Sequence, residues 1–276
     1  MKTIADTLGV SRSNLYEKRQ EEQGAPRGHY RKAEDDTLLP LIREIADARA
    51  TYGYPRITAL LNRRLLALGC SRVNRKRVYR IMKRNNLLLP EHTGRPVRMH
   101  DGQIVTLQSN MRWCSDVFEI GCWNGERVRV AFSMDCCDRE VISYVASTAG
   151  ISGEMARDLM AESIEARFGL VDRVPHKIEW LTDNGSAYTA HETRTFALSM
   201  GLLPCTTPVQ SPESNGMAEA FVKTFKRDYV HLNRLEDARV VMEQLPIWFE
   251  DYNENHPHQG LKMRSPREYR QSLIGT

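Results

Sequence analysis

The sequence predicts an α/β protein in which a mixed sheet flanked by helices is preceded by small all-α modules. Three observations lead there. Residues 1–112 carry helical apolar spacing with no strand pattern. From 111 onward, three meandering strand-like stretches give way to alternating helix and strand. The charge follows the same division: the net +4 splits into 22 Lys+Arg against 11 Asp+Glu over 1–112 and 17 against 24 over 113–276. A basic front on an acidic back is the distribution of a polyanion-binding region joined to a carboxylate-bearing one.

Residues 3–19 read as two short helices around Gly9-Val10-Ser11, with Ile4, Ala5, Leu8 and Leu15 inward and Ser11 capping the second. In this helix-turn-helix-like fragment (1–20), Arg12 opens the would-be recognition helix and is a candidate DNA contact. Residues 21–34 form a polar linker. A second helical module spans 35–89. Asp35 or Asp36 caps its first helix, and Pro55 opens the next, with Ile57, Leu60, Leu61, Leu65 and Leu68 inward and Gly69 ending it. Asn74 caps a third helix, where Val78, Ile81 and Met82 alternate with Arg75, Lys76, Arg77, Arg80, Lys83 and Arg84. Those six cations are expected to neutralise DNA phosphates and to read little sequence. The alternative is a solvated basic face.

Residues 90–110 hold prolines and glycines with little periodicity and are expected to be a second linker. A compact region follows at 111–232. Its strands are 111–120, the stretch after the Asn124-Gly125 turn, 140–147, 176–182 and 202–206; its helices are 152–169, 190–200 and 214–230. A C-terminal part, 233–276, begins with a helix at 236–252, bent or broken near Pro246, and ends in a loop-rich extension.

The six cysteines have neither Cys-x-x-Cys pairs nor zinc-finger spacing, so they read as small buried thiols. No apolar run reaches the about 18–20 residues of a membrane span, and a cytoplasmic protein with no membrane partner is expected.

The chemistry centres on three acids. Asp116 lies inside the first core strand. Asp183 ends the apolar run Ile178–Leu181 at an Asn184-Gly185 turn. Thirty-five residues separate it from Glu219, in a helix whose apolar stripe is Ala218, Phe221, Val222, Phe225 and Tyr229. Glu219, Lys223 and Lys226 share another side of that helix. Each acid alone has a structural explanation, and Glu119, Asp135 and Asp138 compete with Asp116. Together the three suit Mg²⁺, since clustered carboxylates without His or Cys are hard oxygen ligands. Two such ions about 3.5–4 Å apart stabilise attacking and leaving oxygens in phosphodiester displacement.

Trp113-Cys-Ser-Asp116, Thr182-Asp183-Asn-Gly-Ser and Ser211-Pro-Glu-Ser-Asn-Gly-Met-Ala-Glu219 resemble the Asp-Asp-Glu core of bacterial transposases and retroviral integrases. They are most similar to the OrfB-type transposases of the insertion sequence 3 family, insertion sequence 2 subgroup. The Tyr52-Gly-Tyr-Pro and Val78-Tyr-Arg-Ile-Met stretches resemble that family's helix-turn-helix segment, and Tyr252-Asn…His256-Pro-His…Ser265-Pro-Arg-Glu its C-terminal motif. The resemblance implies an RNase H-like integrase core, with Asp116, Asp183 and Glu219 as catalytic metal ligands for Mg²⁺ or Mn²⁺, two ions per site. It implies that Lys226, assisted by Lys223, holds DNA phosphate near the cut, and that Asn184, Gly185, Asn215 and Gly216 shape the surrounding loops.

The implied activity is cleavage at element ends and strand transfer on double-stranded DNA, both the terminal inverted repeats and the target. A homo-multimer in the synaptic complex is implied, with nucleoid association when bound. A frameshift fusion to an upstream DNA-binding product is also implied; a chain opening inside a helix-turn-helix fits that, as does a misplaced start. Two other readings remain at this point: an RNase H-like nuclease that only hydrolyses, giving nicked products alone, and an inert DNA-binding repressor, indifferent to Mg²⁺.

Overall fold

The computed structural model describes residue 7, residues 34–90, residue 106, residues 108–206 and residues 216–274. The chain divides into two compact units, Met1–Glu44 and Ile45–Thr276. The helix-turn-helix expected at 3–19, and Arg12 with it, lie outside the described residues except for Thr7, which is helical.

Helix α1 (Asp35–Ala48) begins at Asp35, so Asp35 and Asp36 lie in its first turn rather than preceding it, where carboxylates favour the helix dipole. Helix α2 (Tyr54–Ala67) opens with Pro55 and buries Ile57, Leu61 and Leu65. Gly69 adopts φ +70° while the Cys70 amide donates back to Leu65 O at 2.7 Å, a left-handed stop. Leu68, expected inside, is exposed because it falls beyond the last helical turn. Helix α3 (Arg75–Arg84) is capped by the Asn74 side chain, which accepts from the Lys76 amide, and buries Val78, Ile81 and Met82. Asn62 stitches α2 to the approach of α3, bonding both Val73 N at 2.7 Å and Val73 O at 3.1 Å.

The sheet has the order β3-β2-β1-β4-β5, from strands β1 (Arg112–Gly121), β2 (Arg127–Asp135), β3 (Val141–Ser147), β4 (Ile178–Thr182) and β5 (Leu202–Thr206). The first three pair antiparallel, and β4 and β5 add parallel to β1. Helix α4 (Gly153–Phe168), capped by Ser152 and ended by Gly169, makes the crossover to β4. Short α5 (Ser186–Thr189) and α6 (His191–Met200) lead from β4 to β5. Helices α7 (Gly216–Asp228), α8 (Ala238–Asn255) and α9 (Pro266–Ile274) complete the chain.

One sheet face packs Trp113, Leu159, Ile164 and Trp180 together. The other is an aromatic layer, in which Phe221 meets Phe132 at 4.5 Å and Phe225 meets Phe118 at 5.7 Å and Phe249 at 4.6 Å. Each such ring contributes about 1.5–3 kcal/mol by burial. The layer fixes α7 on β1.

Helix α8 runs through Pro246 without a break, where a bend or break was expected. The tail expected to be loop-rich contains a 3₁₀ turn and α9. Arg267 there pairs with Glu140, Glu250 and Glu254. Of the cysteines, Cys70 is exposed and Cys205 half-buried; the other four are buried.

Candidate active site

The β1–β4 pairing sets the geometry. Cys114 lies opposite Leu181, the last pair of the parallel β1–β4 register; Asp116 comes two residues further along β1, and Asp183 two residues after Leu181, just past the end of β4. Both acids thus lie toward the C-terminal end of β4, and the charge of Asp183 is felt at Asp116. Glu219 stands in the first turn of α7, the helix the aromatic layer holds against β1.

Asp116 is half-buried, and its carboxylate accepts from the Val117 amide at 2.8 Å. Burial pushes its pKa up to about 6; the Val117 amide opposes the rise, while the charges of Asp183 and Glu219 add to it. All three acids therefore share one electrostatic neighbourhood. Asp183 is exposed and accepts from the Gly185 amide at 3.0 Å. A Cβ on Gly185 would stand 2.9 Å from the same oxygen, so only glycine lets the carboxylate rest on that turn.

Among the described residues, no three His, Cys, Asp or Glu side chains are already gathered tightly enough to grip a metal ion, and no cation pairs with Asp116, Asp183 or Glu219. The donor chemistry nevertheless fits a hard divalent cation: oxygen ligands only, with mutual repulsion that such an ion would relieve.

The competing acids are occupied. Glu119 pairs with Arg127 and Arg129. Asp135 accepts amides from Asn110, Cys137 and Asp138. Asp138 is buried against Arg167 at 3.1 Å.

Lys226 is half-buried, its Nζ 5.9 Å from the Phe118 ring centroid. Phe118 is two residues beyond Asp116 on the same face of β1. Lys223 is exposed. Asn184 and Gly216 lie among the described residues and Asn215 outside them. On α3, Arg75, Lys76, Arg80, Lys83 and Arg84 are exposed, and Arg77 is half-buried. Arg75 lies 5.9 Å from the Tyr54 ring.

Two features escaped the reading of the sequence. Tyr188 on α5 is buried and shares a 2.7 Å hydrogen bond with Ser115, locking the residue before Asp116 to the segment after Asp183. Burial raises its phenol pKa, with the charges of Asp116 and Asp183 adding to the rise. The signal was an aromatic ring in an otherwise polar turn. The second is the pair of a buried His256 and a half-buried His258, with His256 Nδ1 2.8 Å from Tyr52 Oη. Only the fold brings these distant residues together.

The chain matches known families and proteins. An HTH-like domain matches residues 33–92, and integrase core domains match 107–212 and 201–266. Transposase InsD for insertion element IS2A/D/F/H/I/K of Escherichia coli is 46% identical over 269 residues, covering 96% of this chain and 89% of that protein. Transposase InsD for insertion element IS2-9 of Escherichia coli K12 has the same identity over 96% of this chain and 87% of its own length. Among solved structures, the simian T-cell lymphotropic virus intasome in complex with PP2A regulatory subunit B56 gamma aligns with TM-score 0.51 and 19% identity, over 77% of this chain and 74% of that one, a likeness of fold. This chain belongs to the insertion element IS2 transposases of the insertion sequence 3 family.

Proposed function

We propose that this transposase acts on DNA through Asp116, Asp183 and Glu219, cutting element ends and joining the freed strands to a second phosphodiester. The observation that supports the assignment is the parallel β1–β4 register, whose last pair, Cys114 with Leu181, stands two residues before Asp116 and Asp183, together with the charges of Asp183 and Glu219 felt at Asp116. These carboxylates would hold Mg²⁺ or Mn²⁺, two ions per site, supplying Lewis-acid activation of the phosphodiester and of its attacking oxygen.

The protein's own groups do the rest. Lys226, steadied over Phe118, and Lys223 hold DNA phosphate beside the acids as point charges. Asp116 is shielded on its strand, so its charge acts in a poorly screened setting. The exposed cations Arg75, Lys76, Arg80, Lys83 and Arg84, with Arg77, bind the backbone of the element end, and Arg12 adds a contact from the N-terminal fragment. In the first step water displaces the 3′-oxygen at phosphorus, and that oxygen leaves with a proton as a 3′-hydroxyl. In the second, this hydroxyl attacks another phosphodiester, whose own 3′-oxygen leaves.

The substrates on this reading are terminal inverted repeats and target DNA. Pairing two ends calls for a homo-multimer, and the active polypeptide includes an upstream DNA-binding product made by frameshifting. The setting is the bacterial cytoplasm and, when bound, the nucleoid; no described helix is long and apolar enough to cross a membrane. The modules run 1–20, 35–89, 111–232 and 233–276, with linkers at 21–34 and 90–110.

The test is a labelled element-end duplex incubated with Mg²⁺. Joined products support the assignment. Nicked products alone would reduce the activity to hydrolysis, and indifference to Mg²⁺ would leave a binding protein.

A further inference from the structure

The end of α7 furthest from Glu219 carries a second acid, Asp228, placed quite differently. Its side chain is 1% exposed and accepts from Arg56 of α2 at 3.0 Å. Arg227 adds bonds of 2.6 and 2.7 Å to the same carboxylate. His256 Nδ1 stands 3.9 Å away and bonds Tyr52 Oη. The Tyr52 ring lies between two guanidinium groups, 5.1 Å from that of Arg56 and 5.7 Å from that of Arg49. Arg49 continues the contact to α8 through Asp251 at 2.6 Å, which also accepts from Tyr229 at 2.9 Å.

A buried ion pair is weak evidence for stability, because desolvation cancels most of its attraction. The aromatic layer already holds α7 to the sheet, so packing alone does not require a charge here. A buried carboxylate shared between its own helix and α2 does define one position: sliding α7 against α2 would leave Arg227 in place but cost Asp228 its bond to Arg56. Glu219 lies nine residues from Asp228 on the same helix, about 13.5 Å along a rod that does not bend easily. Lys226 lies within its last turn.

We propose that Asp228 and Arg56 are positioning residues that set α7, and with it Glu219 and Lys226, relative to the helical module that grips DNA. The inference rests on the function proposed above. Through this clasp, DNA bound on α3 and DNA at the acids are held in one register, so the pair should govern the rate of cutting bound DNA more than its binding.

The experiment uses the full chain and a labelled element-end duplex, with melting temperature, equilibrium binding and single-turnover cleavage of pre-bound DNA measured for each variant. Arg56→Met is expected to bind within about threefold of wild type and to cleave bound DNA at least about tenfold more slowly, as misplaced reacting groups do. Arg56→Lys, which keeps the charge, should regain part of that loss. The double variant Arg56→Met/Asp228→Asn leaves no orphan charge, so it should fold even if the single variant does not, and should still cut slowly. Cleavage of bound DNA at the wild-type rate by the folded double variant, or by Arg56→Met, would overturn the clasp. So would a loss that follows only the folded fraction and that lysine does not relieve. Wild-type protein inert on this duplex would overturn the proposed function and the clasp with it; active wild type with unaffected variants overturns the clasp alone.

Discussion

Two groups of carboxylates flank β1 and β2, and their surroundings are opposite. At the β2–β3 corner, Asp138 and Glu140 are buried, and Arg167 reaches both, at 3.1 and 3.3 Å. Arg267 and Arg270 add to Glu140 at 2.9 and 3.0 Å. Where β1 and β4 adjoin, the pKa of Asp116 rises to about 6 through burial, with the charges of Asp183 and Glu219 adding to the rise. The first group is complete and holds the C-terminal helix to the sheet. The second has no cation partner among the described residues, and the charges of its members repel one another. Burial alone does not separate the two groups; the presence of a cation partner does.

The largest expected effect separates the two groups by what is lost. Asp138→Asn leaves Arg167 with Glu140 as its remaining ion-pair partner and should cost about 3 kcal/mol of stability, the low end for a broken buried pair, seen as a drop in urea midpoint. Asp183→Asn should leave stability nearly unchanged while removing DNA cleavage. If Asp138→Asn unfolded no more easily than Asp183→Asn, the contrast would fail.

The histidines of the tail give the next effect. Burial holds His256 well below its ordinary pKa and His258 down at about 3. In the unfolded chain they protonate near pH 6.5, so the stability they contribute is full above that and drains as pH falls toward their folded values. Each should cost about 1.4 kcal/mol per pH unit in that window. Urea titrations at pH 7.5 and 5.5 should differ accordingly; equal midpoints would contradict the burial of the pair.

Asp116→Asn in EDTA should sharpen the contrast from the other side. Because the folded pKa of Asp116 is raised, its favourable contribution is full below about pH 3.8 and is lost as pH rises through about 6. Relieving that repulsion should raise stability at pH 7 by about 1 kcal/mol after allowance for solvent screening, with no gain at pH 4. A smaller change is expected from Gly185→Ala, whose Cβ would press on Asp183 Oδ1. Cleavage should slow by about tenfold while DNA binding holds.

Much of this was legible in the sequence, because local rules carried it. Asn74 and Ser152 cap their helices, Gly69 and Gly169 end theirs, and Asn124-Gly125 turns the hairpin, since each needs only its near neighbours. The acids could be nominated from the strand that stops at Asp183 and the helix that carries Glu219. That Asp138 is already engaged rests on Arg167, whose pairing across 29 residues no local pattern announces. At Pro246 the helix does not break: held by Trp248, Phe249 and Tyr252 in the aromatic layer, it tolerates a proline that propensity alone would let interrupt it. The tail read as irregular because its order comes from Arg63, Glu140 and Tyr52, all distant in sequence.

The most direct test is strand joining on labelled element-end DNA with Mg²⁺, comparing wild type with Asp116→Asn, Asp183→Asn and Glu219→Gln, each shown to be folded. The account predicts joined products from wild type and none from the three variants. Joining near the wild-type level by any one of them would remove that acid from the site and contradict the account.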